Sequence, residues 1–274
     1  MAWPLALLLA AQSVFPAKIV PKVPEPDHVL ARVNGVAITA ADAAPFLWEW
    51  RGKEVVEDLI AYHMALQEAT KLGVTVSDEE IEKDIERRLG LIRQSLQQGQ
   101  TLEDALQAQG FGRSRFYVRL KSEMLLDRIA LATFQPTAWV RVSAIVVPVD
   151  APSGAEVARA TARANEAYEK LGAGVSWADV MAGYGLPSER QGLLDWMPIA
   201  EFPQPAQTQF ASLARGGYTR PTQTARGIEV FRLDVRGAEA TADELELLRQ
   251  AHLARFRPAV VERIRRESKV ERPK

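Results

Sequence analysis

The sequence of 274 residues predicts an α+β fold, in which a helical lobe precedes a domain with a small antiparallel sheet and flanking helices. Two runs rich in β-branched residues, Val140–Val149 and Gly227–Val235, have the character of strands that open and close the sheet domain. Four helical segments lie before the first run, between residues 54 and 134. An amphipathic segment follows the second run from Thr241 onward. Helices kept apart from one antiparallel sheet are typical of the α+β class.

Composition excludes several classes of site. The chain is 47% hydrophobic and 25% charged, and its formal net charge of -1 provides no overall attraction for nucleic acid. It contains no cysteine, which excludes disulfides and thiol nucleophiles. Its three histidines, His28, His63 and His252, are far apart and lack the spacing of metal ligands. We therefore expect no metal, no other cofactor and no nucleic-acid partner.

The first 17 residues, MAWPLALLLAAQSVFPA, have the character of a signal peptide. Their apolar run is shorter than the ~20 residues that span a bilayer, and Ala11-Gln-Ser13 offers small residues for cleavage. No Lys or Arg precedes the run, so the alternative is an apolar N-terminus on a cytosolic protein. Export is the favoured interpretation. It predicts an extracytoplasmic protein, in the periplasm or on the cell surface, with no integral membrane segment in the mature chain.

The next segments form a tether and a hairpin. Residues 18–28 contain three prolines, which favour an extended chain. Asn34-Gly35 then lies between two apolar runs and predicts a tight hairpin, because both residues tolerate positive φ. A helix follows from Thr39, and we expect it to be interrupted near Pro45.

Four helical segments complete the predicted lobe. They are Glu54–Leu72, Ser77–Leu96, Thr101–Gly110 and Ser114–Phe134. The second carries an apolar stripe at helical spacing, formed by Ile81, Ile85, Leu89, Ile92 and Leu96. Such a stripe is usually part of a core. The alternative is one wall of an apolar groove that binds a ligand.

Short helices and loops connect the two strand-like runs of the sheet domain. The first helix is announced by the capping box Ser153-Gly-Ala-Glu156, and the second begins at Ser176. We expect a loop at Leu194-Asp195-Trp196 and a third helical piece that ends at Phe210-Ala-Ser-Leu213. Gly216-Gly217 then turns the chain into the last strands.

The order of these elements resembles a parvulin, the small α+β prolyl isomerase domain. The residues that carry the resemblance are Gly174, Trp177 and Val180, the run Leu193-Leu194-Asp195-Trp196, then Phe210, Leu213, Gly216 and Pro221, and finally Gly227-Ile-Glu229-Val-Phe-Arg-Leu233. Together they cover about a third of the chain. The resemblance implies rotamase (PpiC-like) chemistry on a proline-containing peptide.

The N-terminal lobe resembles extracytoplasmic chaperones of the SurA and PrsA type. The pattern appears as Val33-Asn34-Gly35-Val-Ala-Ile38-Thr39-Ala-Ala-Asp42. In that family a helix after the parvulin returns to complete the N-terminal lobe, and the segment from Thr241 fits this plan. The resulting boundaries are 1–17 for the signal peptide, 18–28 for the tether, 29–137 for the chaperone lobe, 138–236 for the parvulin-like domain and 237–274 for the C-terminal helix packing back on the lobe.

The sequence departs from the parvulin pattern at its functional positions. The two histidine positions hold Ala144 and Glu229, and the acidic position falls near Leu186. Counting back from Phe210 without a gap, the Met and Phe of the proline pocket fall on Glu201 and Pro205. With a gap, Met197 and Phe202 take these positions. The resemblance thus implies Met197, Phe202 and Phe210 as substrate-binding residues, and it names no catalytic residue.

The resemblance implies a foldase-like chaperone that binds unfolded or nascent exported polypeptides, with the parvulin domain catalytically impaired. On this hypothesis the groove beside Ile81, Ile85, Leu89 and Ile92 contacts the clients. The first alternative is an active prolyl isomerase with a non-standard pocket. The second is a structural subunit that docks one dedicated partner.

Overall fold

The computed structural model describes residues 19–97, 99–108, 112–149, 153–187 and 192–272. The chain divides into two compact units. The first contains the described residues up to Ile129 and those from Pro258 onward, and the second contains Ala130–Arg257. Helices and small antiparallel sheets make up both, so the predicted α+β class is confirmed. The signal peptide predicted at residues 1–17 lies outside the described residues, as does the predicted helix end at Gly110.

The first unit opens with the predicted hairpin. Strands β1 (Val29–Val33) and β2 (Val36–Thr39) pair antiparallel. Asn34 and Gly35 between them have φ of 51° and 88°, the left-handed geometry that this turn requires. Helix α1 (Ala40–Lys71) follows at once.

Helix α1 is one element of 32 residues, whereas an interruption was expected near Pro45. Its start is fixed by a capping box, in which Thr39 accepts from the backbone of Asp42 and the Asp42 carboxylate accepts from the N–H of Thr39 at 2.8 Å. Pro45 lies early in the helix, where its missing N–H removes one backbone hydrogen bond of the many along the helix. The backbone hydrogen bonds of the rest of the helix keep the segment around Pro45 helical.

Three further helices belong to the first unit. They are α2 (Asp78–Ser95), α3 (Leu102–Ala108) and α4 (Arg113–Leu131). Ser77 and Glu80 form the capping box of α2. Ile81 and Ile85 on α2 are buried in one cluster with Tyr117 and Leu125 of α4, and Leu89 packs against it. The apolar stripe of α2 therefore faces the core.

The second unit is built on a sheet of four antiparallel strands in the order β4-β3-β6-β5. The strands are β3 (Trp139–Val147), β4 (Leu193–Pro198), β5 (Thr222–Thr224) and β6 (Gly227–Arg236). Helices α5 (Gly154–Gly172) and α6 (Trp177–Tyr184) pack on the face that contains Ile145 and Val230. Helix α7 (Gln204–Phe210) packs on the opposite face, with Ala144 and Phe231.

The segment Leu194-Asp195-Trp196 corrects an expectation, because it forms part of strand β4 where a loop was predicted. Asp195 has φ of 63°, and the β3–β4 register shifts between Val142 and Ser143, so the strand carries an irregularity. The sequence analysis missed this strand because its backbone is irregular and does not follow the regular alternation of a β-strand.

The last helix, α8 (Ala242–Glu267), continues through Pro258 without being divided. Its first part belongs to the second unit, where Leu248 is fully buried with Trp139 and Val235. Its last part belongs to the first unit, where Ile264 joins the core. The sequence analysis assigned the whole helix to the N-terminal lobe. In the structure this continuous helix is shared between the two units, because its apolar residues before Pro258 have their own cluster in the second unit.

An ion pair also ties the end of α8 into the first unit. The guanidinium of Arg263 donates to the carboxylate of Glu68 at 2.7 Å, and the Lys71 ammonium lies 3.4 Å from the same carboxylate. Glu68 is buried, which raises its pKa, but the hydrogen bond from Arg263 outweighs burial and holds the pKa below its ordinary value. Arg263 of α8 is therefore the main partner that stabilises the Glu68 anion, with Lys71 of α1 as the second.

Candidate functional site

A cavity of about 550 Å³ opens on the second unit, between the end of β4 and the turn that joins β5 to β6. One wall is apolar and contains Leu194, Met197, Phe202 and Phe231. The lining also has polar and charged side chains, those of Glu201, Thr224, Arg226 and Glu229. A concave site with an apolar wall and a few converging polar groups is the usual form of a ligand site.

The end of strand β4 and the short turn that follows it bring Met197 and Phe202 to this cavity. Met197 pairs with Val140 near the end of β4, and a 3-10 turn, Ile199–Glu201, then reverses the chain. The N–H of Phe202 donates to the carbonyl of Ile199 at 3.2 Å, and the Gln207 amide donates to the carbonyl of Phe202 at 2.7 Å. These bonds fix the position at which the Phe202 ring enters.

The other residues offered for the pocket lie in different places. The Phe210 ring is buried behind Phe202, with 5.0 Å between ring centroids in an edge-on contact, so it supports the wall from the core. Pro205 lies in the first turn of α7. Glu201 lines the cavity and forms an ion pair with Arg255 of α8. Met197 and Phe202, the two residues of the gapped assignment, line the cavity, and their binding of a substrate stays a prediction.

Glu229 is the buried charge of the site. Its side chain is 1% exposed, although it is a carboxylate in the middle of the sheet. Arg226 forms an ion pair with it through two nitrogens, one of which, Nε, lies 3.1 Å from Oε1. The Thr224 hydroxyl also donates to Oε1. Paired in this way, the carboxylate is compensated inside the protein.

The turn between β5 and β6 places Arg226 beside Glu229. Thr224 pairs with Gly227 across the turn, and the N–H of Arg226 donates to the Thr224 hydroxyl at 3.0 Å. Gly227 has φ of 138°, and a Cβ there would lie 2.3 Å from the carbonyl oxygen of Val147. Only glycine fits this approach of β6 to β3. The turn and the glycine together fix the Arg226 guanidinium at the cavity.

The remaining parvulin-like positions have no polar side chain to offer. Ala144 lies on the same face of the sheet as Glu229, since it pairs with Phe231 and Val146 pairs with Glu229. Leu186 is largely exposed, and its backbone N–H donates to the carbonyl of Val146 at 2.9 Å. The structure thus brings Ala144 and Glu229 to one face and leaves Leu186 at the surface.

In the first unit, the residues proposed for a client groove are mainly structural. Ile81 and Ile85 are buried, Leu89 packs against the core, and Ile92 is half-buried. Most of the apolar stripe of α2 therefore lies inside the unit, and its buried residues cannot contact a client. Ile81 and Ile85 are core residues, and client contact at Leu89 and Ile92 stays a prediction.

A cluster of exposed apolar side chains lies on the first half of α1. We call Phe46, Leu47, Trp48 and Trp50 the α1 aromatic surface. Trp48 is 69% and Trp50 68% exposed, and the rings of Phe46 and Trp50 lie 5.7 Å apart. The signal that could have found it is the run Phe46-Leu-Trp-Glu-Trp50, which has four large apolar residues in five positions, too widely spread around a helix for one face to bury them all.

Arg226 is the second residue that the sequence analysis missed. An arginine three positions before a glutamate in a strand, with a turn between them, was the available signal.

Two further findings concern membrane spans and metal sites in the described part of the chain. None of its helices is long and apolar enough to cross a bilayer. It also contains no group of three His, Asp or Glu side chains that could hold a metal ion.

This chain is similar to known proteins both in sequence and in structure. Residues 21–130 match the SurA-like N-terminal domain. The chain is similar to the chaperone SurA of Pseudomonas aeruginosa, with 25% identity over 225 residues that cover 71% of this chain and 52% of the relative. It is 26% identical to the chaperone SurA of Saccharophagus degradans over 213 residues, which cover 68% of this chain and 49% of the relative.

Among solved structures, the chain is similar to the peptidylprolyl isomerase PrsA of Bacillus cereus. The TM-score is 0.45 and the sequence identity 16%, and the match covers 91% of this chain and 95% of that structure. The chain spans about half the length of the two SurA relatives described above.

Proposed function

We propose that this chain, which is SurA/PrsA-like with a SurA-like N-terminal domain and a parvulin-like second unit, is an extracytoplasmic chaperone that binds unfolded or nascent exported polypeptides. Export rests on the apolar run within residues 1–17. The proposed domains are the chaperone lobe at 29–137 and the parvulin-like domain at 138–236. The parvulin-like domain is proposed to be catalytically impaired.

The observation that carries this proposal is the α1 aromatic surface. Large apolar side chains exposed together on a soluble unit indicate a surface that binds a partner. Tryptophan contributes a large contact area and only two side-chain torsions to immobilise, so it binds strongly without demanding one partner shape. Arg51 and Glu54, paired at 3.0 Å, lie next to it and provide a polar rim. Broad apolar contact with a polar rim suits clients of many sequences.

The proposal of impaired catalysis rests on the polar side of the cavity. Rotation about a peptide bond has a barrier of ~18–20 kcal/mol, and an isomerase must stabilise the twisted amide better than the planar one. Ala144 provides no hydrogen-bonding side chain there. The Glu229 carboxylate is already engaged by Arg226 and Thr224. An apolar wall alone binds both forms of the peptide and lowers the barrier little.

We expect the double substitution Trp48→Ser, Trp50→Ser to lower the affinity for clients at least tenfold, or by about 1.4 kcal/mol of binding free energy. The side chains are mostly exposed, so the folded units should keep their stability. The measurement is the suppression of aggregation of two chemically denatured, unrelated proteins at micromolar concentration. Leu91→Ser is the matched control, because Leu91 is also exposed but lies on α2.

Two outcomes would contradict the proposal. If the double variant protects both clients as well as the wild type does, the α1 aromatic surface is not the client surface. If the wild type protects neither client, the chain is not a general chaperone, and the docking of one dedicated partner becomes the better interpretation.

An active prolyl isomerase is the second candidate function, because Met197 and Phe202 do line an apolar cavity. We expect isomerisation of an Ala-Pro tetrapeptide in a protease-coupled assay to stay at the uncatalysed rate. Uncatalysed exchange takes about tens of seconds or longer. Turnover clearly above this background, and abolished by Glu229→Ala in a variant that still folds, would show an isomerase and overturn the proposed impairment.

A further inference from the structure

We propose that residues 268–272, which we call the strap, are a displaceable cover over a continuation of the α1 aromatic surface. The strap competes from within the chain for an apolar row of α1 on which a segment of an unfolded client can lie. This inference rests on the proposed function, because it takes the α1 aromatic surface as the client surface. What it adds is the regulation of that surface by a segment of the same chain.

The strap follows the end of α8 and lies against α1 in the first unit. Two cavities, of about 450 and 480 Å³, flank it. Ile60 and Met64 of α1 and Val270 of the strap line both cavities, so the Val270 side chain lies between them, against this part of α1. The guanidinium of Arg272 lies 2.7 Å from the carboxylate of Glu57, one turn earlier on the same helix. The strap is thus attached to α1 at one apolar point and one charged point.

The attachment of the strap is weak enough to be reversible. Ser268 still donates its backbone N–H to the carbonyl of Ile264 at 3.0 Å, but within the part of the chain that the structure describes, no backbone hydrogen bond holds residues 269–272. Val270 is 42% exposed, so only part of its side chain is in contact. The Arg272–Glu57 pair is open to solvent on both sides, and such pairs contribute little to stability. A segment held by these contacts can open without unfolding the unit beneath it.

The surface under the strap continues the α1 aromatic surface. Trp48, Gly52, Val56, Ile60 and Met64 recur every four residues along α1, so they form a row that winds slowly around the helix. A Cβ at Gly52 would lie 2.9 Å from Cδ2 of Trp48, which means that the indole ring lies over this glycine, on the row and toward Val56. The strap therefore covers the far end of an apolar row whose near end is exposed.

The strap has the chemistry of a client segment. It has neither helical nor strand structure, and its sequence, Ser-Lys-Val-Glu-Arg, carries one aliphatic side chain among polar ones. Lys269 and Glu271 pair with each other at 2.6 Å and are largely exposed, whereas the alternate residues Val270 and Arg272 are the ones attached to α1. An unfolded chain with an aliphatic residue two positions before a basic one presents the same two groups. At sufficient concentration such a segment displaces the strap, because both need the same row.

The first test measures the cover without any client. The chain contains no cysteine, so Ile60→Cys introduces a single thiol under the strap, and its rate of reaction with a maleimide reports how often the strap is open. The released variant, Val270→Asp with Arg272→Glu, loses the apolar contact and places a like charge against Glu57. We expect roughly fivefold faster labelling in it than in the chain with Ile60→Cys alone. Arg272→Glu alone should have a smaller effect, and the further substitution Glu57→Arg should restore slow labelling by restoring the ion pair.

The second test measures clients in the full chain with the native Ile60. The released variant should suppress the aggregation of a denatured client at a roughly threefold lower concentration than the wild type, because a larger fraction of the chains has the row open. The matched control is Lys269→Glu with Glu271→Lys, which exchanges the exposed pair within the strap and should change neither labelling nor holding. Amide protection of α2 and α4 verifies that each variant is folded. If the released variant loses this protection, Arg272→Glu and its restoration by Glu57→Arg provide the same test.

Failure of this inference and failure of the proposed function give different results. Equal labelling rates with and without release would show that the strap is not a cover. Faster labelling without better holding, in a chain whose wild type does hold clients through Trp48 and Trp50, would show that the strap does not compete with clients, and the proposed function would stand. If neither the wild type nor the released variant holds any client, the proposed function fails and this inference falls with it.

Discussion

Deletion of residues 258–274 should unfold the first unit while the second stays folded. The deletion removes Ile264, which is buried in the core of the first unit with Ile81 and Tyr117. Truncating a buried isoleucine to alanine alone destabilises a protein by about 2–5 kcal/mol. The deletion also removes Arg263 and leaves the buried Glu68 with only the weaker Lys71 contact, at a further cost of about 3 kcal/mol. The sum approaches the whole stability of a typical domain, about 5–15 kcal/mol.

Hydrogen exchange measures this result, because it reports on each unit separately. Backbone amides of α2 and α4 should lose protection in the deletion variant, and those of β3 and β6 should keep it. Ile264→Ala should show a partial effect in the same direction. Val270→Ala is the matched control, since Val270 lies on the same tail but is 42% exposed, and it should change little. Full protection of α2 in the deletion variant would refute the assignment of this segment to the core of the first unit.

A longer deletion, of everything after Val235, should affect both units. The sequence analysis assigned the whole C-terminal helix to the N-terminal lobe, and on that assignment the cut would leave the parvulin-like unit intact. In the structure, Leu248 is fully buried with Trp139 and Val235, and Nε2 of His252 lies 2.9 Å from the carbonyl oxygen of Ala130. Both contacts lie within the second unit, which therefore depends on the first part of α8. The apolar spacing of α8 was visible in the sequence, but the sequence could not say which residues it would meet.

Local signals accounted well for where the elements begin. Asn34-Gly35 predicted the hairpin, and the capping residues Thr39 and Ser77 predicted two helix starts, because each acts within a few residues of itself. The errors came where tertiary contacts decide. Pro45 was expected to break a helix, but the surrounding turns hold it, and the strand at Leu194-Asp195-Trp196 was hidden by its irregular backbone.

The candidate site was predicted only in part, for a geometric reason. Counting back from Phe210 gave Glu201 and Pro205 without a gap and Met197 and Phe202 with one, and of these the last two line the apolar wall. The 3-10 turn Ile199–Glu201 lies between Met197 and Phe202, and the sequence analysis did not predict it. Glu229 was recognised as an anomaly, but its partner Arg226 was not considered. A buried charge in a strand should prompt a search for its counter-ion among nearby turn residues.

Loss of that counter-ion should be the most damaging single substitution at the site. We expect Arg226→Ala to destabilise the second unit by about 3 kcal/mol, because it leaves the Glu229 carboxylate buried with the Thr224 hydroxyl as its remaining partner. Loss of amide protection along β6, measured by hydrogen exchange, provides the readout. The matched control is Arg159→Ala, which breaks another Arg–Glu pair three residues apart, with Glu156 30% exposed. Breaking that surface pair should cost at most about 1 kcal/mol.

The double variant Arg226→Met, Glu229→Met separates the charge from the shape of the pair. Removing both partners leaves no buried charge, and replacement of a buried ion pair by apolar residues of similar size is often neutral or stabilising. The double variant should therefore recover most of the protection of β6 that Arg226→Ala loses. If Arg226→Ala costs no more than Arg159→Ala, the carboxylate has found water or another partner, and Arg226 is not its obligatory counter-ion. If the double variant is as unstable as Arg226→Ala, the instability comes from lost packing in the turn before Gly227, and the buried charge is not its cause.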